Sequence, residues 1–188
     1  MRTKHPGRIP DAFIAIIALG CLVACSNGEP SGIRPDAGRA ARSSPSPDLR
    51  TATAVEAALA AYAGYLTAIR EAERSANPQH PELEKYLADP LLTRVGLAIR
   101  DAKEHGAMRT GTLISDPRVA SVSLDTVPAT VSIQDCLDTT NYQLVYIKDR
   151  SVVPGSASGR YVATATATRY ADGRWLINAG TAHRDQPC

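Results

Sequence analysis

The chain has 188 residues, 44% of them hydrophobic, with 21 Lys and Arg against 19 Asp and Glu. That length and apolar content suit one folded domain with a tail and exclude a wholly disordered chain. Residues 26–188 carry 18 basic and 18 acidic side chains, because Arg2, Lys4, Arg8 and Asp11 all precede Cys25, and this balance excludes the broad basic footprint of a nucleic-acid binder. It also gives no polybasic segment for anionic lipid.

The chain opens with Arg2, Lys4 and Arg8, followed by the uncharged run AFIAIIALGCLVA from Ala12 to Ala24. A positive start before a short apolar stretch is the layout of a secretory signal. The run is too short to cross a bilayer as a helix, which takes about 20 apolar residues. The polar stretch Ser26-Asn27-Gly28-Glu29-Pro30 stops it. Leu22-Val23-Ala24-Cys25 resembles the bacterial lipobox. That resemblance implies a diacylglycerol on the sulfur of Cys25, cleavage just before it, and acylation, for example with palmitate, of the new amino group. Ala18-Leu19-Gly20-Cys21 is a poorer copy, since it would leave an apolar LVAC on the mature protein. Cys21 is then discarded with the signal. Two or more acyl chains make a stable anchor. The expected place is therefore extracytoplasmic, on the outer face of the cell membrane.

Residues 26–50 are rich in Ser, Gly, Pro, Ala and Arg, with Ile33 and Leu49 the only large apolar side chains. Such a segment cannot bury enough surface to offset its ordering entropy. The organisation read from the sequence is a signal at 1–24, the lipidated cysteine and tether at 25–50, and a folded domain at 51–188.

Thr53 and Glu56 fit a capping box at the start of a helix. Val55, Leu59, Tyr62, Leu66, Ile69 and Ala72 recur at helical spacing, which gives a helix of roughly 22 residues before Pro78. A short helical turn is expected at 82–88. Asp89-Pro90 then reads as N-cap and first helical residue, with Leu91, Leu92, Val95, Ala98, Ile99 and Ala102 as the apolar face. Gly106 stands where a C-cap glycine belongs.

Beyond Gly106 the period becomes two. Strands are expected at 119–124, 129–136, 142–148, 161–170 and 174–177, with Asp172-Gly173 as a tight turn. In the second of these, Val131, Ile133 and Asp135 share one face and Thr130, Ser132 and Gln134 the other. Pro154 to Gly159 reads as a hairpin loop rather than a phosphate loop, having neither the lysine nor a following helix. Helices first and antiparallel strands after define an α+β domain, a long N-terminal helix and a second helix packed on one face of a curved sheet.

This order of elements resembles the nuclear-transport-factor-2-like cone. The chain also resembles a group of small secreted proteins and lipoproteins of actinobacteria. That likeness rests on Ala61-Tyr62-Ala63-Gly64-Tyr65, Asp135-Cys136-Leu137-Asp138, Asp172-Gly173-Arg174-Trp175 and the ending Arg184-Asp185-Gln186-Pro187-Cys188. The group implies no assigned activity. The wider fold implied here includes ketosteroid isomerase, scytalone dehydratase and polyketide cyclases, and also binding and structural members. Fold alone therefore decides no function.

Once the signal is removed, Cys136 and Cys188 remain, and two distant cysteines in an exported protein point to a disulfide, free thiols being the alternative. His80, His105 and His183 show no metal-ligand spacing, so no metal or cofactor is expected. No G-x-S-x-G elbow occurs. Asp135, on the face with Val131 and Ile133, is the candidate general base if that face lines a cone. The plainer reading leaves it at a strand end, solvated or bonded to backbone. Tyr62, Tyr65, Tyr146 and Trp175 are the further pocket candidates, with Tyr62 and Trp175 also suited to the core. The favoured reading is a lipid-anchored, non-catalytic binding or scaffolding module of the cell envelope, meeting an envelope protein or a small apolar ligand. One alternative is an isomerase, dehydratase or cyclase using Asp135 as base. Another is an accessory subunit of an envelope export or lipid-transport assembly.

Overall fold

The computed structural model describes residues 47–156 and 158–188; the expected signal, the expected lipidation of Cys25 and the expected tether up to residue 46 lie outside them. Helix α1 spans Pro47–Arg74, 28 residues. It is longer than the sequence spacing predicts, and residues 47–50, assigned to the tether, are helical. Thr53 is not an N-cap. It sits inside the helix, and its hydroxyl donates to the Leu49 carbonyl one turn back at 2.9 Å. Pro47 and Asp48 supply the true start, where a missing N–H and a negative charge are both favourable.

The inner face of α1 is made largely of small side chains: Ala54, Ala58, Ala61, Ala68 and Ala72, with Tyr62 and Leu66 among them. Opposite lie Ala163, Ala165 and Ala167 of a central strand. Small residues on both surfaces let helix and sheet approach closely. By length and composition residues 48–74 are apolar enough to cross a membrane. Here they form the core helix of the domain, packed on strands. Gly64 makes room on this helix for the Tyr86 ring, which would have to shift for any side chain there, since a Cβ would lie 2.2 Å from it.

Tyr86 ends α2, Leu83–Tyr86. Helix α3, Leu91–Glu104, buries Leu91, Val95 and Ile99. The N-cap position is Pro90, one residue later than Asp89-Pro90 predicts, and the Asp89 carboxylate braces the first turn by accepting from the Thr93 backbone N–H at 3.2 Å and from its hydroxyl at 2.6 Å. Gly106 closes the helix at φ 66°.

Six strands follow: β1 Ala107–Gly111, β2 Pro117–Ser123, β3 Thr130–Asp138, β4 Tyr142–Tyr146, β5 Arg160–Arg169 and β6 Trp175–His183. Strands β2-β3-β5-β6 form one antiparallel sheet, and β1 pairs with β4 in a separate antiparallel ribbon. Strand β1 was not expected, because Ala-Met-Arg-Thr-Gly carries no alternation of strong β-formers. The 154–159 segment is not a hairpin loop, since β4 and β5 belong to different sheets and the chain crosses between them there. Strand β6 also runs past the expected end at Ile177, pairing out to His183 opposite Val162. The Asp172-Gly173 turn is formed, with Gly173 at φ 86° and the Arg174 N–H on the Asp172 carboxylate.

Register irregularities at Ala120 on β2, between Val119 and Ser121, and at Asn178 on β6, opposite Thr166 and Ala167 of β5, are bulges of the kind that bend a sheet. The architecture is α+β, with the helices on one face of a bulged antiparallel sheet. Val131, Ile133, Asp135 and Leu137 alternate inward along β3, toward the core. Cys136 therefore points to the other face. It is bonded to Cys188, with Cα atoms 5.8 Å apart and a sequence separation of 52. The bridge draws the chain end back across β5, where the Val162 N–H donates to the Gln186 carbonyl at 2.9 Å.

Candidate functional site

Between α1 and the β5–β6 hairpin lies a cavity of about 280 Å³. Tyr62, Tyr65, Leu66 and Ile69 project into it from the helix. Ala163 and Ala165 of β5 and Gly180 and Ala182 of β6 face them, and their small size makes the room. Glu73, Arg109 and Tyr142 form a polar end. Arg184 and Tyr161 add a further cation and ring, the guanidinium 4.8 Å from the ring centre.

Asp135 is not on the cavity wall. Its side chain is buried in the middle of β3, 2% exposed, and carries three hydrogen bonds. The Tyr62 hydroxyl donates to Oδ2 at 2.9 Å, the Ser115 hydroxyl to the same oxygen at 2.7 Å, and the Asp116 backbone N–H to Oδ1 at 2.7 Å. Of the plainer reading, the solvated strand end is overturned, because alternation turns this position inward while β3 continues three residues beyond it, whereas the bond to backbone is present, from the Asp116 N–H. The role of base to a ligand in the cavity is not supported either, since the carboxylate is sealed beneath Tyr62. Burial, and then the charge of Asp135, hold the Tyr62 hydroxyl far above the usual phenol range. It therefore stays protonated as a donor. Tyr65, 5.7 Å away ring to ring, is pushed up to about 12, mainly by burial.

The titratable centre of the cavity is Glu73. The Tyr142 hydroxyl donates to its Oε2, and Arg109 Nε lies 3.5 Å from Oε1. Burial raises the Glu73 carboxyl above the ordinary range, while Tyr142 and Arg109 oppose that rise. Burial and the neighbouring Glu73 raise the Tyr142 phenol in turn. Sequence reasoning passed over all three. Glu73 had a signal, since Tyr62, Leu66, Ile69 and Glu73 continue the helical spacing and place a carboxylate on an apolar stripe. Arg109 and Tyr142 had none, because they meet only through the β1–β4 pairing.

Tyr146 and Trp175 are not in this cavity. Tyr146 borders a groove of about 580 Å³ between α3 and the β1–β4 ribbon. Trp175 borders another of about 440 Å³ at the start of α1, beside Leu124 and Ala129. Of the four aromatic candidates, the structure brings together Tyr62 and Tyr65. Among the described residues no cluster of His, Cys, Asp and Glu has the geometry to hold a metal ion.

No protein-family model and no curated protein matches the chain. Among solved structures, the intermembrane-space region of the chloroplast protein ARC6 is similar at 16% identity and a TM-score of 0.42, over 77% of this chain and all of that one. A ketosteroid isomerase-like protein from Erwinia carotovora atroseptica is similar at 13% identity and a TM-score of 0.39, over 66% of this chain and 91% of that one. At these scores neither likeness carries an argument about function, and the site must be read from its own residues.

Proposed function

We propose that the protein is an exported, lipid-anchored, non-catalytic binding module of the cell envelope, whose cavity takes a small, mostly apolar ligand. The observation that carries this reading is the state of the two inward carboxylates. Asp135 is saturated by Tyr62, Ser115 and Asp116, and Glu73 is held by Tyr142 and Arg109. Asp135 does not line the cavity and Glu73 is already engaged by two partners, whereas the aromatic and aliphatic wall offers area for contact. A cavity of about 280 Å³ stands at the lower edge of ordinary small-molecule sites, which span about 300–1,000 Å³. The signal would direct export, and after its removal the lipid on Cys25 would hold the domain at the membrane's outer face. The disulfide supports an oxidising, extracytoplasmic compartment.

A neutral fluorescent naphthylamine titrated into the protein tests the reading. Saturable binding is expected, and Ala163→Leu, which fills the cavity, should abolish it while the variant stays folded. Equal binding by both proteins, or by neither, would remove the cavity from the function.

A second reading has one observation in its favour. Glu73 is a cavity carboxyl whose proton affinity is raised by burial, as a general acid requires. An isomerase or dehydratase on this frame would use Glu73 rather than Asp135. Turnover of an enolisable ketone that vanishes in Glu73→Gln and survives in Asp135→Asn would establish it.

A further inference from the structure

A second recess lies at the end of α1 and shares Tyr142 and Arg109 with the cavity. Arg70 and Arg74 of the helix wall it, together with Arg109 and Thr110 of β1. Residues four apart on a helix lie on one face, so the first two guanidinium groups point the same way. Arg109 reaches the same recess from the neighbouring ribbon. Glu71 is the one carboxylate on this wall, and Glu73 draws on Arg109 from the cavity side at 3.5 Å. Among the described residues neither Arg70 nor Arg74 has a carboxylate within ion-pair distance. The Arg70 Nε–H is buried and has no protein acceptor. Buried donors are normally paired, and a guanidinium nitrogen left without an acceptor is unusual inside a fold. The balanced charge of residues 26–188 hides this concentration of arginines.

We propose that this recess binds a phosphate-type oxyanion, a free phosphate or the phosphate of a lipid headgroup, through Arg70, Arg74 and Arg109. The volume, about 150 Å³, admits a compact polar group and not a drug-sized body. Guanidinium groups arriving from two directions suit a tetrahedral anion, which offers several oxygens and up to two charges. A carboxylate offers two coplanar oxygens and one charge. The recess shares Arg109 and Tyr142 with the apolar cavity but not Ala163, so Ala163→Leu should leave anion binding unchanged.

The test is titration calorimetry on the full-length protein in non-ionic detergent at low ionic strength. The probes are inorganic phosphate, pyrophosphate and dihexanoyl phosphatidic acid, with dihexanoyl phosphatidylcholine as the zwitterionic control. Saturable binding of the phosphate probes is expected, weakening with added salt. Arg70→Met and Arg74→Gln should each lower affinity about tenfold, the scale of one lost charge-assisted hydrogen bond. Arg74 is exposed, so its variant tests the site even if Arg70→Met folds poorly. Tighter binding of the phosphatidic acid than of the inorganic anions identifies a headgroup site, and the reverse order a free phosphate site. Absence of saturable binding to every phosphate probe in the millimolar range would overturn the proposal. So would unchanged affinity in a folded Arg70→Met/Arg74→Gln double variant.

Discussion

The Tyr62 hydroxyl and the Asp135 carboxylate meet at 2.9 Å across 73 residues of sequence, joining the middle of α1 to the inner face of β3. The bond lies in the core, so water cannot replace it. Tyr62→Phe removes one of three donors from a buried carboxylate. It should cost about 1.5–3 kcal/mol, the range for hydrogen bonds to charged groups. Denaturant unfolding measures this, and a loss below about 0.5 kcal/mol, typical of surface changes, would show that Ser115 and Asp116 suffice.

Glu73 predicts a pH dependence. Its folded carboxyl is raised above the ordinary value of 4.5, so the folded state binds the proton more tightly than the unfolded chain. The stability it contributes is fully present below the unfolded value and is lost as pH rises through the folded one. Glu73→Gln should abolish that part of the profile. The wild type should lose ground to the variant from about pH 4.5 upward. Thermal melts of both proteins across pH would expose the opposite slope, which would mean that Arg109 and Tyr142 outweigh burial.

Ile133 and Ser132 are adjacent on β3 and face opposite ways, with Ile133 only 1% exposed. Ile133→Ala should cost about 2–5 kcal/mol, and Ser132→Ala under about 0.5. Chemical denaturation of the two variants reads the difference directly. Similar losses at both positions would contradict the register with β5.

The bond between Cys136 and Cys188 closes a loop with a sequence separation of 52. In the chain-entropy account that closure is worth about 4 kcal/mol, an upper figure because denatured-state structure reduces it. Reduction should lower the melting temperature and speed amide exchange after His183, where the Gln186 carbonyl is bonded to Val162. Rapid alkylation of Cys188 in the unreduced folded protein would contradict the bridge.

The anchor is tested outside the folded domain. Cys25→Ser should release the protein from the membrane fraction or leave it unprocessed, while Cys21→Ser should change little. Incorporation of labelled fatty acid by the Cys25 variant would move the cleavage site elsewhere.

What the sequence determined by itself was whatever depends on neighbours a few residues apart. Helical spacing from Val55 to Ala72 marked α1, and alternation from Val131 to Asp135 turned the carboxylate inward, because backbone geometry repeats over 3.6 or two residues. Even there it misjudged the start of α1, since Thr53 has the right chemistry for a cap but lies within a continuous run of helix formers. It missed β1, whose residues have little strand preference and are held in place by β4. Only the tertiary structure decided that Asp135 would be sealed by Tyr62 and Ser115, that Glu73 would meet Tyr142 and Arg109, and that Arg70, Arg74 and Arg109 would line one recess. These groups come from separate elements, and no local preference specifies which elements pair. Their meeting follows from the core as a whole, in which burying the alanine face of α1 on β5 sets the position of everything at its end.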